Sequence, residues 1–215
     1  MADMADMTSA GGRSRTVYNT AVSADGYIAD ANGSLDWLQE VPRTAEVDRF
    51  SSFLNDVGAF AMGATTYEWV LRNEHVLEHP ERWSEWYGDR PCWVFTHRDL
   101  PTVPGADVRL VSGSPSTAHE EMAGTAGARA VWIVGGGVLA AQFADAGLLD
   151  EIVLGIAPVM LGGGTPVLPI RVKALLRPVG SPLRVGEFVE LRYTLATPTP
   201  AGVRRHPTER GSADR

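Results

Sequence analysis

A run of glycines, Gly135 to Gly137, separates an apolar segment from a helical pattern and constrains the fold more than any other feature. Ala130 to Val134 is apolar throughout, as in a strand that is buried on both faces. Val138 to Ala146 carries apolar residues at helical spacing. The order of strand, glycine turn and helix is typical of open α/β sheets, which bind ligands beyond the carboxyl ends of their strands.

Strand and helix patterns alternate along the rest of the chain. Strands are predicted over Thr16 to Ser23, Tyr27 to Ala29, Ala59 to Met62, Cys92 to Thr96, Asp107 to Val111, Glu151 to Val159 and Phe188 to Ala196. Helices are predicted over Thr44 to Asn55, from Thr65 or Thr66 onward, and over Ser116 to Thr125, with helix and loop in residues 72–90. This alternation predicts a three-layer α/β fold. Its sheet is mainly parallel with Val131 to Val134 central, and it ends in an antiparallel C-terminal edge strand.

Composition narrows the class of protein. A chain of 215 residues fits one domain, expected over residues 16–196, between flexible tails at 1–15 and 197–215 that are rich in small and polar residues. A net charge of −7 argues against nucleic-acid or anionic-membrane partners. Neither a signal peptide nor an apolar run of about 20 residues is found, so we expect a cytoplasmic protein. The single cysteine, Cys92, excludes an internal disulfide and a cysteine-based zinc site, and no metal site is predicted.

A second glycine turn follows another predicted strand. Gly63, Ala64, Thr65 and Thr66 open a helix whose free N–H groups and two hydroxyls suit a pyrophosphate. The alternative interpretation is that both glycine turns are ordinary turns and helix caps. Neither turn has the G-x-G-x-x-G spacing, which argues against a standard Rossmann unit.

Taken together, these motifs resemble the dihydrofolate reductase-like superfamily over residues 16–196, in the branch that includes the reductase domain of bacterial riboflavin synthesis. The matching segments are Ala21 to Ile28, Gly33 to Trp37, Met62 to Glu68, Val94 to Arg98, Val134 to Gly137, Asp150 to Ile152 and Pro158 to Pro166.

The resemblance implies NADPH as cofactor and a cis peptide between Gly135 and Gly136. It places Ala21 at the nicotinamide, and Gly63 to Thr66 with Thr96, His97 and Arg98 at the phosphates, including the adenosine 2′-phosphate. The remaining implied cofactor residues are Val134, Gly135, Gly136, Gly137, Val138, Leu139 and Thr165. Dihydrofolate reductases commonly have Arg or Lys where this chain has Ala64. Arg98, helped by His97, is the predicted replacement, and a solvated loop pair is the alternative.

The substrate side departs further from the family pattern. The carboxylate that binds the pteridine ring in dihydrofolate reductases falls on Val47, one residue before Asp48. The candidate carboxylates are Asp36 and Asp48, predicted as catalytic, and Glu46. A ribose phosphate would need basic groups, and only Arg43 and Arg49 lie in a suitable stretch.

Asp25 and Trp37 are predicted at the substrate. For Asp25, a structural role in its Asp-Gly turn is an alternative, and Trp37 is equally plausible as a core aromatic.

The predicted function is NADPH-dependent reduction of a small heterocyclic substrate, pterin- or pyrimidine-like, or of a carbonyl substrate. A homodimer is expected, because relatives in this branch commonly pair and the Trp-rich region, residues 72–90, offers apolar surface. The mismatch at Val47 keeps open a catalytically silent nucleotide-binding or interaction protein on the same fold.

Overall fold

The computed structural model describes residues 14–42 and 44–196. For residues 44–48 it describes the backbone and not the side chains. The predicted tails lie outside these residues except for Ser14 and Arg15. Ser14 is buried, and its hydroxyl donates a hydrogen bond to the carbonyl of Ala123 at 2.8 Å. Ser14, which the sequence assigned to the N-terminal tail, is therefore packed against the helix His119–Ala126.

The described chain alternates strands and helices in the predicted order. Its strands are β1 (Thr16–Ser23), β2 (Tyr27–Ala29), β3 (Val57–Gly63), β4 (Cys92–Phe95), β5 (Val108–Val111), β6 (Ala130–Val134), β7 (Glu151–Ala157), β8 (Thr165–Pro166), β9 (Leu175–Pro178), β10 (Leu183–Val185) and β11 (Phe188–Ala196). Its helices are α1 (Thr44–Asn55), α2 (Ala64–Asn73), α3 (Glu81–Tyr87), α4 (His119–Ala126) and α5 (Gly137–Asp145), with 3-10 turns at Asp36–Glu40 and Pro115–Thr117.

One large sheet carries the fold, in the order β10-β11-β7-β1-β6-β3-β4-β5, with β9 also paired to β11. The strands from β7 to β5 run parallel, and β6 lies between β1 and β3. The mainly parallel sheet with a central β6 is thus confirmed. Its antiparallel part comprises three strands, β9, β10 and β11, where one was predicted. All four residues of β9 are exposed, so no alternation of buried and exposed positions marks it in the sequence.

Apolar cores lie on both faces of the sheet. Residues of α4 and α5 pack on one face with Tyr18, Ile133 and Ile152. On the other face α2 and α3 pack over Phe60, and α1 sets aromatic side chains against Trp132. The three-layer architecture is therefore confirmed.

The Trp-rich region is mostly interior. Trp83 is 1% exposed and packs against Phe60 and Tyr67, whereas Trp86 is 53% exposed.

Cys92 is fully buried, and burial raises the pKa of its thiol well above the ordinary value, which fits an inert core thiol. Within the described residues, no helix is long and apolar enough to cross a membrane.

Candidate cofactor and substrate site

The residues predicted to bind the cofactor lie along one edge of the sheet. Because β1, β6, β3 and β4 are adjacent and parallel, their carboxyl ends meet at that edge. Ala21, Gly135–137, Gly63–Thr66 and Thr96–Arg98 follow one another in the order of these strands. At about 4.8 Å between neighbouring strands, the row extends roughly 15 Å. An elongated ligand can therefore contact all four segments at once.

The two glycine turns contact each other directly. The N–H of Gly136 donates to Thr66 Oγ1 at 3.3 Å, and a Cβ added at Gly135 would lie 2.5 Å from the same oxygen. Gly135 has a φ of +77°, which glycine adopts without strain. This left-handed residue turns the chain at the end of β6, and no described peptide bond is cis. The prediction of a cis Gly135–Gly136 bond is wrong, because the turn needs only the positive φ.

Each glycine of the run serves a different purpose. A Cβ on Gly137 would overlap the carbonyl oxygen of Val167, so the segment that follows β8 sits against the start of α5. Among the described residues, the only neighbour within 4 Å of such a Cβ at Gly136 is Thr66 Oγ1, at 3.8 Å. At Gly63, none of these residues comes within 4 Å of a Cβ. Gly63 and Gly136 therefore keep two pieces of backbone accessible to a ligand.

Both turns end in helix N-termini that lack a neutralising group. The N-caps of α2 and α5 are Gly63 and Gly136, neither helix has a capping side chain, and neither carries an acidic residue in its first turn. By contrast, α4 has Glu120 and Glu121 in its first turn. Free N–H groups and aligned peptide dipoles leave partial positive charge at such ends. Two of them side by side favour a bound anion such as a pyrophosphate.

Tyr18 on β1 holds the glycine turn after β6 through a hydrogen bond from its hydroxyl. Its hydroxyl lies 2.9 Å from the carbonyl oxygen of Gly135 and 3.2 Å from that of Val167, to both of which it can donate. The side chain is fully buried, and burial raises the pKa of the phenol well above its ordinary value. The hydroxyl therefore remains a donor at physiological pH. Sequence reasoning missed this residue, since a tyrosine within an apolar strand gives no sign of its distant partners.

The end of the row at β4 carries an ion pair. Thr96 Oγ1 accepts a hydrogen bond from the N–H of Arg98 at 2.9 Å, which shapes the loop after β4. Arg98 Nη1 in turn donates to Glu68 Oε1 at 2.7 Å. The Arg98 side chain is 54% exposed and that of Glu68 is 24% exposed. Arg98 is thus a half-exposed cation paired with Glu68, a partner on α2 that sequence reasoning had not found.

At the other end of the row, Trp37 packs in a small apolar cluster that also includes Ala21, Ala157 and Phe188. Trp37 is 5% exposed, and its Nε1 has no hydrogen-bond partner among the described residues. The structure therefore brings together Ala21, predicted at the nicotinamide, and Trp37, predicted at the substrate. The indole is a buried core aromatic there, which is the alternative that the sequence left open for Trp37.

Asp25 is hydrogen-bonded to the loop that follows β7. Its carboxylate accepts hydrogen bonds from the Ser23 hydroxyl at 2.6 Å and from the N–H groups of Leu161 at 3.1 Å and Gly162 at 2.7 Å. The Ser23 hydrogen bond, more than the two from the backbone, lowers the pKa of this carboxyl. These contacts correspond to the structural role that the sequence left open for Asp25.

The other residues predicted on the substrate side include Asp36, Asp48, Arg43 and Arg49. Asp36 is exposed, at the start of the 3-10 turn that carries Trp37. Asp48 lies on α1, but its side chain and all of Arg43 are outside the described residues. Arg49 makes a bidentate ion pair with Glu190 on β11, at 3.0 and 2.7 Å.

The remaining predicted cofactor residues differ in burial, and the buried ones can contact a ligand only through their backbone atoms. Leu139 is 5% exposed and points into the core, and Val134 is also buried. Val138 is 48% exposed in the first turn of α5. Thr165 is exposed in β8, where it pairs with Ala29.

This sheet, with its row of glycine turns, defines a dihydrofolate reductase-like protein. The dihydrofolate reductase of Enterococcus faecalis in complex with NADP(H) shares the fold with a TM-score of 0.53 at 14% identity, over 85% of this chain and 97% of that one. The chain belongs to the RibD C-terminal domain family, whose match covers residues 15–178.

Two further relatives match nearly their full length. Uncharacterized protein YwjB of Bacillus subtilis is 30% identical over 197 residues, which is 85% of this chain and 98% of that protein. A protein of Shewanella sp. PV-4, provisionally named for riboflavin biosynthesis, has a TM-score of 0.68 at 26% identity, over 85% of this chain and 99% of that one.

Proposed function

We propose that the chain is an NADPH-dependent reductase of a small heterocyclic substrate, pterin- or pyrimidine-like, or of a carbonyl substrate. The observation that carries the proposal is the pair of uncapped helix N-termini in contact at Gly136 and Thr66, with Arg98 on one side and Ala21 on the other. This spacing suits a pyrophosphate in the middle, the adenosine at Arg98 and the nicotinamide at Ala21. Membership of a reductase family supports the same assignment.

The accessible glycines fit such a cofactor. Gly63 and Gly136 leave space where a Cβ would otherwise stand, so a phosphate can approach the backbone N–H groups in the first turns of α2 and α5 closely. When bound, the dinucleotide supplies the hydride for reduction. The residues of this chain hold its phosphates, orient its nicotinamide along β1 and exclude water with Trp37. The proton comes from an ordered water or from an acid, for which Asp36 and Asp48 remain the predicted candidates.

At the substrate end of the proposed site, Arg49 and Asp25 are charged side chains that already have partners within the fold. Arg49 is already bound through two hydrogen bonds to Glu190, a carboxylate that also accepts one from Arg192 at 2.8 Å. Asp25 is held by Ser23 and the loop after β7. We infer that, among the described residues at this end of the site, recognition depends more on shape and on apolar contact near Ala21 than on charge.

The test of this function is binding and turnover by the full chain. NADPH should raise the melting temperature in a concentration-dependent manner. Oxidation of NADPH, followed at 340 nm with a panel of dihydropterins, pyrimidines and carbonyl compounds, should saturate with at least one of them. Binding of NADPH without turnover would favour the catalytically silent alternative, and absence of any binding would overturn both.

The proposed assembly is a homodimer formed through the C-terminal strands. Exposed apolar side chains gather on β9, β10 and β11: Leu175 is 64% exposed, Leu176 40%, Leu183 45% and Val189 39%. Single exposed residues are normal, but a cluster on neighbouring strands indicates a covered surface. The residues from 197 onward include only one large apolar side chain, Val203, so a second copy is the better occupant.

Light scattering tests this assembly. A dimer has twice the chain mass of 23.1 kDa, and Leu183→Glu should shift it to monomer. The matched control is Leu77→Glu on a different surface, at 36% exposure. A wild-type monomer at micromolar concentration would refute the proposal.

A further inference from the structure

A carboxylate stands beside the cation to which the proposed function assigns the adenosine 2′-phosphate. Glu68 lies on α2 one turn after Thr65, and its Oε1 accepts a hydrogen bond from Arg98 Nη1 at 2.7 Å. The formal charges of the two side chains cancel. Arg98 therefore presents much less positive potential to a phosphate than an unpaired guanidinium would.

The geometry of the pair leaves both groups available to a ligand. Among the described residues, Glu68 is the acceptor that Arg98's guanidinium contacts, through Nη1, so its Nε and Nη2 edge can still meet a phosphate. Glu68 also lines a shallow surface groove with Leu71, Leu100 and Pro101, so it is within reach of a ligand. Neither side chain has to break the pair before a ligand approaches.

The two groups act in opposite directions on the ribose of the cofactor. A guanidinium binds a 2′-phosphate with parallel hydrogen bonds, whereas a carboxylate repels that phosphate and accepts a hydrogen bond from a free 2′-hydroxyl. Resting on the proposed function, we propose that Glu68 is a specificity-determining residue that opposes Arg98 and keeps the preference for NADPH over NADH small.

The test compares Glu68→Gln with the wild-type protein in calorimetric titrations with NADPH and NADH. Glutamine keeps the size of the side chain and an acceptor oxygen for Arg98, but removes the negative charge. The Kd for NADPH should fall about three- to tenfold, and the Kd for NADH should stay unchanged or rise. Because Arg98 is more than half exposed, the gain should shrink at high salt. Glu68→Ala, which removes the acceptor as well, serves as a second variant.

Glu187→Gln is the matched control. It removes one charge from the exposed Arg184–Glu187 pair, 3.8 Å apart, between β10 and β11 at the opposite edge of the sheet from β4. It should leave both Kd values unchanged. Arg98→Ala should weaken NADPH by roughly ten- to a hundredfold and leave NADH nearly unchanged.

The outcomes separate this inference from the proposed function. If Glu68→Gln leaves the Kd for NADPH unchanged or raises it, Glu68 merely positions Arg98, and the inference is wrong while the proposed function stands. If the wild-type protein binds neither dinucleotide, the proposed function fails and the inference fails with it.

Discussion

Alanine at Gly136 and alanine at Gly137 should have opposite consequences, although the two glycines are neighbours. Gly136 has a φ of −62° and open space at the Cβ position, so alanine fits the native backbone. Gly137 has its Cβ position filled by the carbonyl of Val167. Substitution at Gly136 should therefore affect the ligand, and substitution at Gly137 should affect the fold.

The stability effects follow from these surroundings. For Gly136→Ala, a slightly poorer N-cap and a less flexible unfolded chain nearly cancel, so the free energy of unfolding should change by less than about 1 kcal/mol. For Gly137→Ala, the overlap must push the Val167 carbonyl away and strain its hydrogen bond with Tyr18, at a cost of about 2–4 kcal/mol. In a chain of this length that lowers Tm by about 5–15 °C.

The binding effects run the other way. A methyl group on Gly136 stands where a phosphate would meet the N–H groups at the start of α5. Loss of one charged hydrogen bond there should weaken NADPH about ten- to a hundredfold. Thermal unfolding and calorimetric titration of both variants measure the contrast. If Gly136→Ala binds NADPH as well as the wild-type protein does, the glycine is only a helix cap and the assignment of the pyrophosphate is wrong.

Two further predictions concern the residues that hold this edge of the sheet. Tyr18→Phe removes the donor shared by the Gly135 and Val167 carbonyls and should lower the free energy of unfolding by about 1–2 kcal/mol in urea titrations; no loss would mean that neither hydrogen bond contributes. Asp25→Asn should lower Tm at pH 7, because the lowered pKa of Asp25 means that its charged form stabilises the fold. The difference should narrow as the pH falls below the ordinary carboxyl pKa of 3.8, because the unfolded wild-type chain then takes up a proton at Asp25 before the folded chain does; a constant difference from pH 7 to pH 3 would contradict this.

The sequence predicted those parts of the site that consist of backbone. An apolar strand followed by glycines and a helical pattern is visible at β6, and the same order at β3 marks the second turn. The resemblance added the order of the motifs along the chain. It also implied the cis bond, which the structure replaces with a positive φ at Gly135, a choice between two backbone geometries that residue types alone do not decide.

Side-chain partners that are distant in sequence were beyond prediction. Glu68 and Arg98 belong to separate motifs, and their contact depends on β3 and β4 being neighbours. Tyr18 and Val167 are 149 positions apart. The strands β9 and β10 lack a buried face, so their sequences carry no periodic signal. For the contact between Glu68 and Arg98, the missing information is the order of strands in the sheet.

The proposed site has a cofactor end at the glycine turns and a substrate end at Ala21 and Trp37, and the two ends differ in how they can change during evolution or design. The cofactor end depends on glycines and helix N-termini, whose contribution survives most side-chain substitutions so long as the turns keep their shape. The substrate end depends on side chains, and there Asp25 and Arg49 are already engaged in holding loops and strands together. Removing either should disturb packing before it disturbs recognition. If the proposed function is right, cofactor binding should therefore persist in variants that lose turnover, and the choice of substrate should depend on the shape of the apolar cluster at Trp37 and Ala21.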